Sequence, residues 1–401
     1  MSLALINGHV LTDAGFEAGL VVVLAGGRIE AILGHEQWQA GRGHVGSSHV
    51  GSNQGGASNA RQSVYDLKGN RLVPGFVDTQ VNGGGGVLFN DDPSVDSIVE
   101  IGRAHRRYGT TGFLPTLISD DLEVVVKAVR AVQTAIEIGV PGVLGIHIEG
   151  PFLNEERKGV HDVTKLRWLD EDALGLLTSL NGGRTLVTLA PERTSPQIIR
   201  KLADAGVVIS AGHTNGTYDE IKDALSQGLT GFTHLFNAMS QLTGREPGAV
   251  GAALDDADSW CGIIVDGHHV DPVVLRIALR SKRADRFMLV TDAMPSVGAP
   301  NKAFKLQGRP ISVADSMCVD EHGRLAGSDI DMASAVRNAI AMLGVDLAQS
   351  VRMASRYPAE FLRLDHELGR IAPGLRANLA LLDARLNVLE TWIDGRGSVS
   401  G

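Results

Sequence analysis

The chain has 401 residues, 43% hydrophobic but only 4% aromatic, so it can bury a large and mainly aliphatic core of the kind parallel sheets favour. A formal net charge of −9 and a pI near 5.8 argue against a general nucleic-acid or anionic-membrane binder, while leaving room for a local basic site for an anionic substrate. Two cysteines, Cys261 and Cys318, offer no disulfide framework. With no basic leader and no run of about 18 apolar residues, a soluble cytoplasmic protein is the expectation.

Residues 1–34 alternate and turn at glycines, which predicts short antiparallel strands. Residues 41–63 are rich in Gly, Ser and Asn, carry His44 and His49, and predict a mobile surface loop. From residue 71 apolar runs alternate with helical periodicity. Eight strands are predicted, at 72–79, 111–117, 143–149, 184–190, 207–212, 229–235, 261–266 and 286–292. Helices are predicted over 96–107, 122–138, 171–180, 196–205, 218–226 and 272–280, with Asp170, Ser195, Thr217 and Asp271 as N-caps. The stretch 236–260, with Gly244, Pro247, Gly248 and Gly251, reads as a long functional loop. Helices near 331–343 and 347–362 follow, then short strands in 369–393. The pattern predicts an α/β fold: a (β/α)8 TIM-type barrel over 71–364, with a small β-sandwich built from 1–70 and 365–401.

Four residues close apolar runs: Glu149, His213, His234 and Asp292. Barrel chemistry gathers at the C-terminal ends of the strands. A carboxylate and two imidazoles make a three-ligand site with an open position, the makeup of a catalytic rather than a structural zinc site. Each residue alone reads equally well as a buried hydrogen-bonded group; three at strand ends make the metal reading the stronger one. Asp292 is the candidate proton carrier, with a helix cap or ion pair as its structural alternative. The first strand ends in Gln80 and Asn82, and amides are poor zinc ligands beside imidazole, so one metal is expected. The two amides are candidates for holding water or Glu149. Gly83–Gly86 is weak as a phosphate loop because no Lys-Ser/Thr follows.

The segments His147-Ile-Glu-Gly-Pro-Phe152, Gly212-His-Thr214, Thr233-His-Leu-Phe-Asn-Ala-Met239, Arg245-Glu-Pro-Gly248, Asp266-Gly-His-His-Val270 and Val290-Thr-Asp-Ala293 resemble, in order, those of the N-acetylglucosamine-6-phosphate deacetylases of the amidohydrolase superfamily. The resemblance covers Leu72 to Asp383. It implies one divalent metal, zinc or alternatively Fe2+, Co2+ or Mn2+, on Glu149, His213 and His234, with Asp292 as general base and acid. It implies substrate contacts from His161, Asn237 and Ala238, phosphate contacts from Arg245 and His269, and an acetyl-group wall from Leu325-Ala-Gly-Ser328. It also implies a homodimer, with one phosphate partner crossing the interface. Read alone, Arg245 is a surface partner for Glu246. Only one of His268 and His269 can face the mouth, and His105, His322 and His366 read as surface or structural. The implied reaction is deacetylation of N-acetyl-D-glucosamine 6-phosphate in amino-sugar catabolism. Alternatives are an N-acetylgalactosamine 6-phosphate or other N-acyl amine deacetylase and, from a different class, a non-catalytic scaffold on the same fold. A silent scaffold should have lost a ligand or the base, and all four residues are present.

Overall fold

A computed structural model describes residues 2–43 and 62–398. Of the loop expected over 41–63, residues 44–61, with His44 and His49, lie outside the described residues. Residues 41–43 instead complete a helix, His35–Gly43.

Eight parallel strands stand in consecutive order: β1 (Phe76–Val81), β2 (Thr110–Ile118), β3 (Gly145–Glu149), β4 (Arg184–Leu189), β5 (Val208–Ala211), β6 (Gly231–Phe232), β7 (Trp260–Ile263) and β8 (Phe287–Leu289). Every residue of β2 and β3 is buried, as expected for strands covered on both faces. The seam between β1 and β8 is closed by an isolated parallel bridge, Val81 to Ala293, and by Asp78. The Asp78 carboxylate accepts from Thr291 Oγ1 at 2.5 Å and from the backbone N–H groups of Gln80 and Thr291.

The crossover helices follow from caps and apolar stripes. Ser195 caps Pro196–Asp204, which buries Ile198, Ile199 and Leu202. Thr217 and Glu220 form a reciprocal capping box on Tyr218–Ser226. Asp170 and Asp271 cap Glu171–Leu177 and Pro272–Ser281. No helix among the described residues is long and apolar enough to cross a membrane.

Both chain ends share a six-stranded sheet, in which Arg71–Pro74 pairs with His9–Thr12 on one side and Leu379–Leu382 on the other. A second, four-stranded sheet holds the remaining N-terminal strands. Their common core contains Leu5, Val22, Ile29, Leu72, Leu379 and Trp392.

Three sequence expectations are corrected. The strand expected at 72–79 is two strands, divided at Gly75, where the chain leaves the small sheet for the barrel. A Cβ at Gly75 would lie 2.0 Å from Thr111 Oγ1, so only glycine permits that crossing. The loop expected over 236–260 contains a helix, Gly248–Asp255. Its two glycines and its length of eight residues make a poor isolated helix, but buried small residues let it pack closely, so tertiary contacts override propensity. Residues 304–328, where no strands are expected from the sequence, form a separate four-stranded antiparallel sheet. Its strands of three to six residues are short and largely half-exposed, which leaves little periodicity to detect.

Candidate active site

A cleft of about 440 Å3 opens at the C-terminal ends of the strands. Glu149, His161, His213, His234, Asn237, Ala238, His269, Asp292 and Asn82 line it. Glu149 is the last residue of β3, whereas His213, His234 and Asp292 lie two or three residues beyond β5, β6 and β8. These three adopt left-handed backbone conformations, with φ of 49°, 34° and 51°. Non-glycine residues held there carry strain, and the turn aims each side chain inward over the barrel mouth.

Glu149 Oε1 lies 3.1 Å from His234 Nε2 and 3.2 Å from His213 Nε2, and the two imidazole nitrogens are 3.1 Å apart. Three donor atoms therefore converge on one point, and all three residues are buried. A tetrahedral ion with ligand bonds of about 2.0–2.1 Å sets its donors about 3.3 Å apart, which these spacings approach. His213 Nδ1 donates to the Arg157 carbonyl at 2.8 Å, so Nε2 presents its lone pair to that point. Burial opposes ionisation of Glu149, but hydrogen bonds from His213 and His234 outweigh it and hold the carboxyl well below the usual range. Burial likewise opposes protonation of His234, yet the Glu149 charge raises its pKa. The pocket thus favours positive charge where the donors meet.

Asp292 faces the cleft beside this trio. Asn82 Nδ2 donates to its Oδ1 at 2.6 Å, and Gln80 Nε2 donates to the same oxygen and to both Glu149 oxygens, each at 3.1 Å. The amides at the end of β1 thus bind the carboxylates as donors. Burial, and then the nearby Glu149 charge, push the Asp292 carboxyl up to about 6. His161 is neutral, its pKa driven well down by burial and by His213. The Ser119 backbone N–H donates to His161 Nδ1 at 3.3 Å and the Ser119 hydroxyl lies 2.7 Å from the same atom. The imidazole proton therefore sits on Nε2, available to the cleft.

His269 lines the cleft and His268 is exposed. Asp266 decides between them: its Oδ1 accepts both backbone N–H groups and its Oδ2 accepts from His269 Nδ1 at 2.6 Å. Asn237 Nδ2 donates to the His234 carbonyl at 3.0 Å, and the Ala238 carbonyl accepts from Thr214 N–H. Leu325 and Gly327 line the cleft as expected of that segment. Arg245 is the exception: it is exposed and lies outside this cleft. His105 is buried against the Gly83 carbonyl at 2.8 Å, while His322 and His366 are exposed.

Several contributors escape sequence reasoning. Glu192, after β4, accepts from Asn154 Nδ2, Thr214 Oγ1 and Asn215 N–H, tying together the two loops that hold His213. Arg157 and Arg324 also line the cleft. The Ala-Pro-Glu at the end of β4 was a possible signal for Glu192; Arg324 had none, because its sheet was not legible.

Residues 71–397 match the model of the amidohydrolase family. The N-acetylgalactosamine-6-phosphate deacetylase of Shewanella sp. (strain ANA-3) is 45% identical over 331 residues, 82% of this chain and 84% of that protein. The N-acetylglucosamine-6-phosphate deacetylase of Haemophilus influenzae is 34% identical over 399 residues, 99% of each chain. Among solved structures, the N-acetylglucosamine-6-phosphate deacetylase of Pasteurella multocida superposes with a TM-score of 0.90 at 35% identity, covering 99% of this chain and 100% of that one. An aspartate-to-alanine mutant of the Mycobacterium smegmatis enzyme, in complex with N-acetyl-D-glucosamine-6-phosphate, superposes at 0.84 with 30% identity, covering 99% of this chain and 98% of that one. With its barrel, its convergent Glu149–His213–His234 trio and this match over most of its length, the chain belongs to the amidohydrolase family.

Proposed function

We propose that the protein hydrolyses the acetamide of N-acetyl-D-glucosamine 6-phosphate, releasing acetate and D-glucosamine 6-phosphate. The observation that carries this is the convergence of three donor atoms beside a separate carboxylate, Asp292, in one cleft. The mixed carboxylate–imidazole set suits one divalent ion, zinc first, with Fe2+, Co2+ and Mn2+ also compatible with such donors. Glu149, His213 and His234 would hold such an ion, which would supply positive charge to acidify water and polarise an acyl oxygen. Gln80 and Asn82 turn donor groups toward the carboxylates, which favours one ion over two.

The chain's own groups perform the proton transfers. Asp292 takes a proton from the attacking water as its oxygen bonds to the acetyl carbon. His161 donates Nε2–H to the carbonyl oxygen, on which negative charge develops. Asp292 then passes its proton to the amide nitrogen, the C–N bond breaks, and the amine and acetate leave. A carboxyl near 6 is suited to accept and return a proton near neutrality. His269, fixed by Asp266, faces the phosphate, and the phosphate orients the sugar from a distance.

Arg245 fits a phosphate role only by reaching the cleft of a second copy, so the proposal includes a homodimer. Leu242, three residues from Arg245, and Val273 and Ile277 on Pro272–Ser281 are exposed apolar side chains available for such a contact. Buried, free Cys261 and Cys318 suit a reducing cytoplasm. A second reading, preference for the galacto epimer, is favoured by the 45% identity to the Shewanella enzyme.

The test is acetate release from the 6-phosphates of N-acetylglucosamine and N-acetylgalactosamine and from the unphosphorylated sugars, with wild type and Asp292→Asn. Wild type is expected to prefer a phosphorylated substrate, and Asp292→Asn to bind it with most turnover lost. Activity surviving in Asp292→Asn removes Asp292 from the proton path. No acetate from any of the four sugars ends the deacetylase reading.

A further inference from the structure

The sheet over residues 304–328 contributes Leu306, Arg324, Leu325 and Gly327 to the lining of the cleft. Its last strand, Leu325–Ser328, is anchored at the reaction centre: Ser328 N–H donates to the Asp292 carbonyl at 2.9 Å, and Ser328 Oγ donates to the Thr291 carbonyl at 2.6 Å. Traced backward, the strand climbs past Gly327 and Leu325 along the cleft wall to Arg324. Arg324 immediately precedes the strand, four residues from the Ser328 anchor. It lines the same cleft as Asp292 and His269.

The guanidinium is held in place without being used up. Asp320, with a side chain only 3% exposed, accepts from Arg324 Nε and pairs with Nη2, both at 2.8 Å through Oδ2. Asp320 Oδ1 meanwhile accepts the backbone N–H groups of His322 and Arg324, and Asp320 N–H donates to the Arg324 carbonyl, so the turn itself is built around this carboxylate. One edge of the planar fork is therefore committed, while Nη1 has no hydrogen-bond partner among the described residues and the side chain stays 48% exposed. A pre-oriented guanidinium with a free edge matches the geometry of a phosphate oxyanion. Arg157, which also lines the cleft, is tied to the Glu149–His213–His234 trio through its carbonyl, which accepts from His213.

We infer that Arg324 is a substrate-binding residue that contacts the 6-phosphate from within the same chain, with Asp320 as its positioning residue. This rests on the phosphosugar reading above. It gives each cleft its own arginine for the phosphate, alongside His269 and independent of whether Arg245 of a partner subunit reaches in.

The experiment compares wild type, Arg324→Ala, Arg324→Lys and Asp320→Ala, all metal-loaded, on phosphorylated and unphosphorylated N-acetylglucosamine and N-acetylgalactosamine. Loss of one exposed charge-assisted contact predicts a KM for the phosphorylated sugar about tenfold higher in Arg324→Ala with kcat little changed. The phosphorylated-to-unphosphorylated preference should fall by the same factor. Arg324→Lys should recover part of it, and Asp320→Ala should fall between Arg324→Ala and wild type. Metal content and melting temperature, measured on each variant, separate misfolding from lost binding. A KM unchanged in a folded Arg324→Ala, or equal losses on both kinds of sugar, overturns the inference. No acetate released by wild type from any sugar would instead overturn the deacetylase reading itself.

Discussion

Asp78 offers a sharp test of how the barrel closes. It lies fully buried at the seam of β1 and β8, where a single isolated bridge replaces a ladder. Burial raises its pKa from 3.8 to about 7, against hydrogen bonds from Thr291 and the Gln80 backbone that lower it. The folded protein therefore binds this proton more tightly than the unfolded chain does. Stability is unaffected by Asp78 well below pH 3.8, falls as pH rises from there to about 7, and carries the full penalty above. A separation of about three pH units, at about 1.4 kcal/mol each, makes that penalty about 4 kcal/mol at most. Asp78→Asn keeps the size and the polar contacts of the neutral acid but cannot ionise. Urea denaturation of both proteins from pH 4.5 to 8.5, at one fixed metal concentration, isolates the term by difference. The mutant should gain on wild type steadily up to about pH 7 and then run parallel, with a relative midpoint shift on the order of 1 M. Curves that stay parallel throughout would refute the argument, because the seam would then hold an ordinary ionised carboxylate.

Two further outcomes probe the site. Wild-type protein should hold close to one divalent metal per chain, and Glu149→Gln should lose most of it, as elemental analysis would show; full occupancy in the mutant, or two tightly held ions in wild type, contradicts the trio and the donor roles of Gln80 and Asn82. Gly327→Ala places a Cβ 2.9 Å from the Asp292 carbonyl and 2.6 Å from Met294 Cγ, at a φ of +63° that disfavours alanine. Met294 can yield but the Asp292 backbone cannot move without displacing its carboxylate, so kcat should fall by about 10–100-fold with metal content retained; an unchanged kcat would show that the strand is not what positions Asp292.

Much of this was readable from the chain alone, for a local reason. A buried parallel strand announces itself over four to eight residues of apolar sequence, and a barrel places every strand's C-terminal end on one face. Finding Glu149, His213, His234 and Asp292 at four such ends was therefore enough to group them. The caps at Asp170, Ser195, Thr217 and Asp271 were legible because a capping side chain bonds within its own turn. The sheet over 304–328 was not, since its short half-exposed strands carry no such period, and the position of Arg324 was hidden with it. Arg245 shows the converse: its motif was visible, but nothing in a motif tells which cleft an exposed loop serves.

Sequence by itself thus determined the barrel, the identity of the candidate ligands and base, and the presence of amides, poor metal ligands, at Gln80 and Asn82. Only the tertiary structure decided how closely these groups meet. The bonds from His234 to Glu149 and from Asn82 to Asp292 join residues 85 and 210 positions apart. Their geometry depends on left-handed turns at His213, His234 and Asp292, which are strained conformations that surrounding packing must enforce. Local sequence specifies which residue stands at a strand end; the closed barrel, through contacts distant in the chain, sets the direction in which it points.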